Sequence, residues 1–255
     1  MSLEDKIQQT TDLIRNQPLN HNLRLELLQL YCIDGQWDRA LKIAQQFIKL
    51  NPNDNQTKAL FLGNIECEII REQVFKGQHD APNYWGKTAV DSNSQHDLLA
   101  AYLAQDTEKL SALFFEKCES LDTLSITSND QQETTSQFLD TDCRTAFVLE
   151  VFEQNQYFWI DINDIQEVKF KKTEFLTDLI WRRGEVLLKN QRHLACFFPV
   201  RYPFTDKLEL DDQCKYSALT KWVEVGELEI GIGQKTFSNG DIDISILDIE
   251  SIKAL

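Results

Sequence analysis

The chain has 255 residues, 42% of them hydrophobic, which is enough to bury a sizeable core in one large or two smaller domains. Forty-one acidic against 26 basic side chains give a formal net charge of −15, which repels phosphate backbones and anionic lipid and so argues against nucleic acid or a membrane surface as a partner. No apolar run is long enough to span a bilayer, and Met1-Ser-Leu-Glu-Asp-Lys6 lacks the basic-then-apolar layout of a secretion signal, so a cytoplasmic location is expected.

The first 120 residues carry helical periodicity. Ser2 and Asp5 form a capping-box pattern, after which Leu3, Ile7, Thr11 and Ile14 share one helical face as far as about Gln17. Leu23 to Pro52 then reads as a helix, a turn at Gly35, a second helix and a proline stop. Leu27, Tyr31, Gly35, Ala40 and Pro52 fall where the tetratricopeptide pattern places Leu, Tyr, a turn glycine, a small residue and Pro. Arg24 stands where Trp is usual, Leu28 replaces a small residue, and Ala44 and Phe47 exchange the large and small positions of the second helix. An ordinary antiparallel helix pair shares much of this spacing. Either way, Trp37, Ala40, Leu41, Ala44, Phe47 and Ile48 form a stripe that needs neighbouring helices to cover it, and stacked hairpins of this kind present a surface suited to holding another protein.

Beyond Pro52, Asn53 is placed to cap a long helix whose Ala59, Leu62, Ile65, Ile69 and Phe75 face the core as far as Gly77. A loop over 77–93 leads to a helix through Leu98, Leu99, Tyr102 and Leu103, and Asp106 caps a last one through Leu110, Leu113 and Phe114 to Cys118. The composition then turns polar. From Asp122 to Gln137 only Leu124 and Ile126 are apolar, so residues 121–142 are expected to be a flexible linker, with a short edge strand through those two residues as the alternative.

From 143 to 255 the pattern is that of strands. Thr145–Phe152 and Tyr157–Ile162 flank a polar turn, as do Glu185–Leu188 and His193–Phe198, and both pairs read as hairpins. Ile165–Phe170, Trp222–Val225, Leu228–Lys235 and Ile242–Ile249 add further strands. The fold class is therefore α+β: an all-α, tetratricopeptide-like domain over 1–120 and a β-rich domain over 143–255, built as an antiparallel sheet or small barrel.

Signs of chemistry are sparse. Cys32, Cys67, Cys118, Cys143, Cys196 and Cys214 include no C-x-x-C pair, and His21, His79, His96 and His193 show no metal-ligand spacing, so no cofactor or metal is expected. His193 and Cys196 point to opposite faces of one strand, which argues against a local catalytic dyad. Gly231-Ile-Gly233 lacks the third glycine and following helix of a nucleotide loop and reads as a bulge or a close backbone approach. More distinctive is Trp181-Arg-Arg-Gly184, followed by Phe198-Pro-Val-Arg-Tyr-Pro203, where Arg201 and Tyr202 are residue types that anchor protein interfaces. The alternative is that Trp181 and Tyr202 pack in the core and the arginines pair with acids.

Gly35-Gln-Trp37 with Ala40-Leu41, Glu72-Gln-Val-Phe75-Lys-Gly77, Val148-Leu-Glu150 with Tyr157-Phe-Trp159, Asp178-Leu-Ile-Trp-Arg182 and Arg201-Tyr-Pro203 together resemble the ImpE family, also called SciE or TagJ. These are accessory proteins of the bacterial type VI secretion system. The resemblance implies a non-enzymatic cytoplasmic adaptor that binds a helical segment of the small contractile-sheath subunit and is linked, indirectly through the ClpV ATPase, to sheath disassembly. It does not fix binding residues. Exposure and residue type single out Trp37, Arg39, Trp181, Arg182, Arg201 and Tyr202 as candidates. Two other readings stand beside it: a helical-repeat scaffold with another protein partner, and a small enzyme using Cys143, Cys196 or His193.

Overall fold

The computed structural model describes residues 1–85, 93–203 and 210–255; residues 86–92 of the expected 77–93 loop lie outside the described residues. Six helices come first: α1 (Leu3–Asn16), α2 (His21–Asp34), α3 (Trp37–Leu50), α4 (Asn55–Phe75), α5 (Asn93–Leu103) and α6 (Thr107–Cys118). Their ends follow from local chemistry. Ser2 accepts from the Asp5 amide while the Asp5 carboxylate accepts from that of Ser2, so the capping box at α1 is closed. Gly35 takes φ 73° at the end of α2, the left-handed conformation a glycine adopts without a Cβ penalty, and this turns the chain directly into α3. α4 starts on Asp54, which accepts from the Thr57 amide, rather than on Asn53, and α6 starts on Asp106 as expected.

The strands are β1 (Leu124–Ser128), β2 (Glu133–Ser136), β3 (Leu139–Asp140), β4 (Val148–Glu153), β5 (Gln156–Asp161), β6 (Ile165–Phe170), β7 (Trp181–Leu188), β8 (His193–Pro199), β9 (Thr220–Val225), β10 (Leu228–Gly233), β11 (Thr236–Ser238), β12 (Asp243–Ser245) and β13 (Ile249–Ala254). A one-turn helix, α7 (Asp212–Lys215), precedes β9. Eight strands form one antiparallel sheet in the order β2-β1-β13-β6-β7-β8-β4-β5, so of the two expected forms it is the open sheet that is found. β9–β10 is a separate hairpin, and β12-β11-β3 is a small third sheet. The hairpins β4–β5 and β7–β8 are those read from the sequence, although β7 begins earlier, at Trp181.

The stretch expected to be a flexible linker is sheet instead. β1 pairs with both β13 and β2, with Leu124 opposite Ala254 and Ile126 opposite Ile252. Leu124, Ser125 and Ile126 are buried, while β2 is a polar edge strand with alternating exposure. Leu124 and Ile126 share one face of β1 and join the apolar core, Ser125 on the other face donates to Glu133 of β2, and the polar composition of β2 suits an edge that faces water.

Both faces of the sheet are covered near β4. Val148 and Phe152 belong to an apolar cluster with Leu28, Ile33, Phe61, Phe75 and Trp37 of the first four helices. Leu149 and Val151, pointing the other way, join a second cluster with Leu98 of α5 and Leu110 and Phe114 of α6. That double burial explains why 146–152 is an almost unbroken apolar run.

Candidate functional site

The residues singled out by type are mostly inside. Trp37, Trp181, Arg182, Arg201 and Tyr202 are all 5% exposed or less, which contradicts their reading as surface anchors. They are joints of the fold. Trp37 at the start of α3 stacks on Trp181 of β7 with ring centroids 6.1 Å apart, and Arg201 lies 5.9 Å from the centre of the Trp37 ring. The indole N–H of Trp37 donates to Glu72 at 2.9 Å and that of Trp181 to Glu68 at 3.0 Å, both acceptors lying on α4. Arg201 donates to the carbonyls of Cys32, Ile33 and Lys215, so it satisfies the open last turn of α2 with a cation, as the helix dipole favours. Burial pulls its guanidinium down to about 10.

Arg182 is brought to none of these. It donates to the carbonyls of Lys171, Ile246 and Ile249 and pins the turn that leads into β13, its guanidinium 4.8 Å from the Phe170 ring centre. The Tyr202 hydroxyl donates to Asp140 at 2.8 Å and accepts from the Thr236 amide at 3.0 Å. Its ring fills the space a side chain would need at Gly231, the close approach expected at that glycine. Arg39 alone of the six is exposed, with its guanidinium 5.8 Å from the Tyr31 ring centre.

Behind this joint lies a buried charge network. Glu150 of β4 accepts two hydrogen bonds of 2.7 Å from Arg71 of α4, and the Tyr157 hydroxyl donates to it as well. Lys235 reaches Asp140 at 2.6 Å and Glu150 at 3.1 Å, while Arg144 pairs with Asp142. The charged members of this network are all 4% exposed or less, and they join α4 to the strands. The thiols of Cys143 and Cys196 are pushed well up by burial and so stay protonated at neutral pH, while His193 is exposed against Glu185 at 3.4 Å. Among the described residues no cluster of His, Cys, Asp and Glu is set to hold a metal, and no helix is long and apolar enough to cross a membrane.

On the surface just outside the stacked tryptophans lies an apolar trough. Leu25 and Gln29 of α2, Leu60 and Phe61 of α4, Phe197 of β8 and Phe175 enclose a hollow of about 360 Å³. Phe61 forms its base, edge-on to Trp181 with centroids 6.2 Å apart. Phe175 and Leu176, in the short turn before β7, are 58% and 37% exposed, and Arg183 covers one face of the Phe175 ring at 5.1 Å while bonding Asp178 at 3.2 Å. A second hollow of about 510 Å³ shares Arg183 and Phe197 with the first and continues past Lys171, Lys172 and Ala195. An adjacent pair of large apolar residues within Lys171-Lys-Thr-Glu-Phe-Leu-Thr-Asp178 is a signal the sequence offers for this site, since nothing in so polar a loop calls for them to be buried.

Comparison with known proteins bears on this geometry. Residues 132–253 match the model of the family described as ImpE protein. The chain carries an ImpE domain over those residues. It is 26% identical over 251 residues to the type VI secretion system accessory component TagJ of Pseudomonas aeruginosa, an alignment covering 98% of this chain and 86% of TagJ. Its fold is that of protein VPA1032 from Vibrio parahaemolyticus, a crystal structure that it matches with a TM-score of 0.85 at 22% identity over 99% of this chain and 94% of the other. The matched ImpE domain begins in the turn before β2, so β2 falls inside it and β1 just outside.

Proposed function

We propose that this protein is a non-enzymatic adaptor of the type VI secretion system, and that its trough takes the apolar face of a helical segment from the small contractile-sheath subunit. The observation that carries the reading is the trough itself, walled by two helices of a hairpin stack and rimmed by exposed Phe175, in a chain that aligns with TagJ over nearly its whole length. A groove of this form suits an amphipathic helix that inserts residues at i, i+3, i+4 and i+7. The protein acts in the cytoplasm, and the link to sheath disassembly runs through the subunit it holds, with ClpV engaged indirectly.

The test is calorimetric titration of the full chain with helical peptides from the small sheath subunit of the same organism. Saturable binding with a negative heat-capacity change supports apolar docking. Absence of binding removes the sheath subunit and leaves a helical-repeat scaffold for some other partner.

A further inference from the structure

We propose that the groove between α6 and the β9–β10 hairpin is a second docking surface, and that its occupant is a peptide segment with an apolar anchor flanked by lysine or arginine. The groove has a volume of about 570 Å³ and shares no lining residue with the trough. Phe114 and Cys118, one turn apart on α6, and Leu121 just beyond its end form one wall, and Leu228 and Leu139 complete an apolar interior. The lip is acidic. Glu224, Glu227 and Glu229 line it, are exposed, and enter no ion pair among the described residues, and no lysine or arginine lines the groove.

The register sharpens the argument. Glu224 and Glu229 stand directly opposite each other across the hairpin, an arrangement of like charges that weakens strand pairing. Glu227 adds a third carboxylate at the turn. A cation from a partner, placed between Glu224 and Glu229, relieves their repulsion, and the apolar interior below supplies an anchor site. The lip is also held in place: Gly226, at φ 65°, rests against Thr107 at the start of α6, where an added Cβ would lie 3.0 Å from that side chain. Charge complementarity thus selects a basic segment over an acidic or purely apolar one.

The experiment uses the full chain and two labelled synthetic peptides, one with two leucines one helical turn apart flanked by lysines, the other with serines replacing the leucines, read by fluorescence anisotropy. The leucine peptide is expected to bind saturably, and the serine peptide about tenfold or more weaker. Glu224→Gln with Glu229→Gln should weaken the leucine peptide by a similar factor while leaving the melting temperature unchanged or slightly raised, since a repulsive pair is removed. Phe175→Ser, in the trough, should leave this binding as it was. Equal affinity of the two peptides, indifference to the Glu224/Glu229 changes, or loss on Phe175→Ser would each overturn the proposal, the first by showing general attraction to a chain of net charge −15.

Discussion

Arg71 and Glu150, 79 residues apart in sequence, meet through two hydrogen bonds of 2.7 Å with both side chains almost wholly buried, and they tie α4 to β4 of the eight-stranded sheet. Because neither charge reaches water, each depends on the other, on Glu68 and on Lys235. Removing one partner strands a charge in the interior, whereas replacing both with apolar groups does not.

Glu150→Gln and Arg71→Met are each therefore expected to cost about 3–5 kcal/mol. The double variant should lose less than the sum. Urea denaturation followed by far-ultraviolet circular dichroism and by tryptophan fluorescence measures both. Coincident transitions by the two probes would show the helical and β-rich halves unfolding together.

The same carboxylate gives stability a pH dependence of known sign. Burial pushes the Glu150 carboxyl up, but Arg71 and Lys235 outweigh it and hold it at about 2 against an ordinary 4.5. The folded state thus binds this proton more weakly than the unfolded chain does. The stabilisation is complete above pH 4.5 and is lost as pH falls toward 2. Asp140, whose carboxyl is raised by burial, works in the opposite direction and favours the folded state on acidification. Denaturation midpoints measured across the acid range should fall with pH, and the slope should be shallower in Glu150→Gln.

Arg201→Ala should unfold the protein at lower temperature rather than merely disturb a surface. It would leave the carbonyls of Cys32, Ile33 and Lys215 without this donor and open a cavity beside Trp37. A loss of about 3 kcal/mol corresponds to a drop of roughly 6–12 °C for a chain of this size. Arg39→Ala, at an exposed position, should stay within about 0.5 kcal/mol of the parent. Differential scanning calorimetry of the two variants side by side distinguishes the roles.

Gly231→Ala should cost about 1–3 kcal/mol by overpacking. Its new Cβ would lie 2.2 Å from the Cδ2 and Cε2 atoms of Tyr202, a ring that cannot swing away without giving up Asp140 and the Thr236 amide. Thermal melting checks this, and Tyr202→Leu in the same background should recover part of the loss.

Phe175→Ser should weaken binding of a sheath-subunit helix about tenfold or more while leaving stability nearly unchanged, because a ring that is 58% exposed contributes little to the core. Calorimetric titration and a melting curve on the same sample separate the two effects. A large drop in melting temperature would show that Phe175 holds the turn before β7 instead.

The helices were legible because their signals are local: Ser2 with Asp5, the turn at Gly35 and the cap at Asp106 each specify an end within four residues. The two hairpins were legible for the same reason. β2 was not, since Glu133-Thr-Thr-Ser136 owes its strand conformation to pairing with β1 and carries no apolar alternation of its own. The burial of Arg201 and Arg182 was hidden more deeply. Their types argue for the surface, and the carbonyls that hold them lie up to 169 residues away, on segments that only the finished fold brings near. The trough has a clue in the sequence, the apolar Phe175-Leu176 pair within a polar loop, but residue type alone points instead to tryptophans and arginines that lie beneath or beyond it.

The final strand, β13, is inserted between β1 and β6 in the interior of the eight-stranded sheet. Synthesis delivers those two neighbours well before the strand that separates them, and until Ile249–Ala254 arrives each has an open edge. A chain shortened by its last seven residues would lose no helical residue and none that lines the grooves described above, yet would split its main sheet in two and present both edges for pairing with other molecules. Trimming this end is thus far more dangerous than its small size suggests.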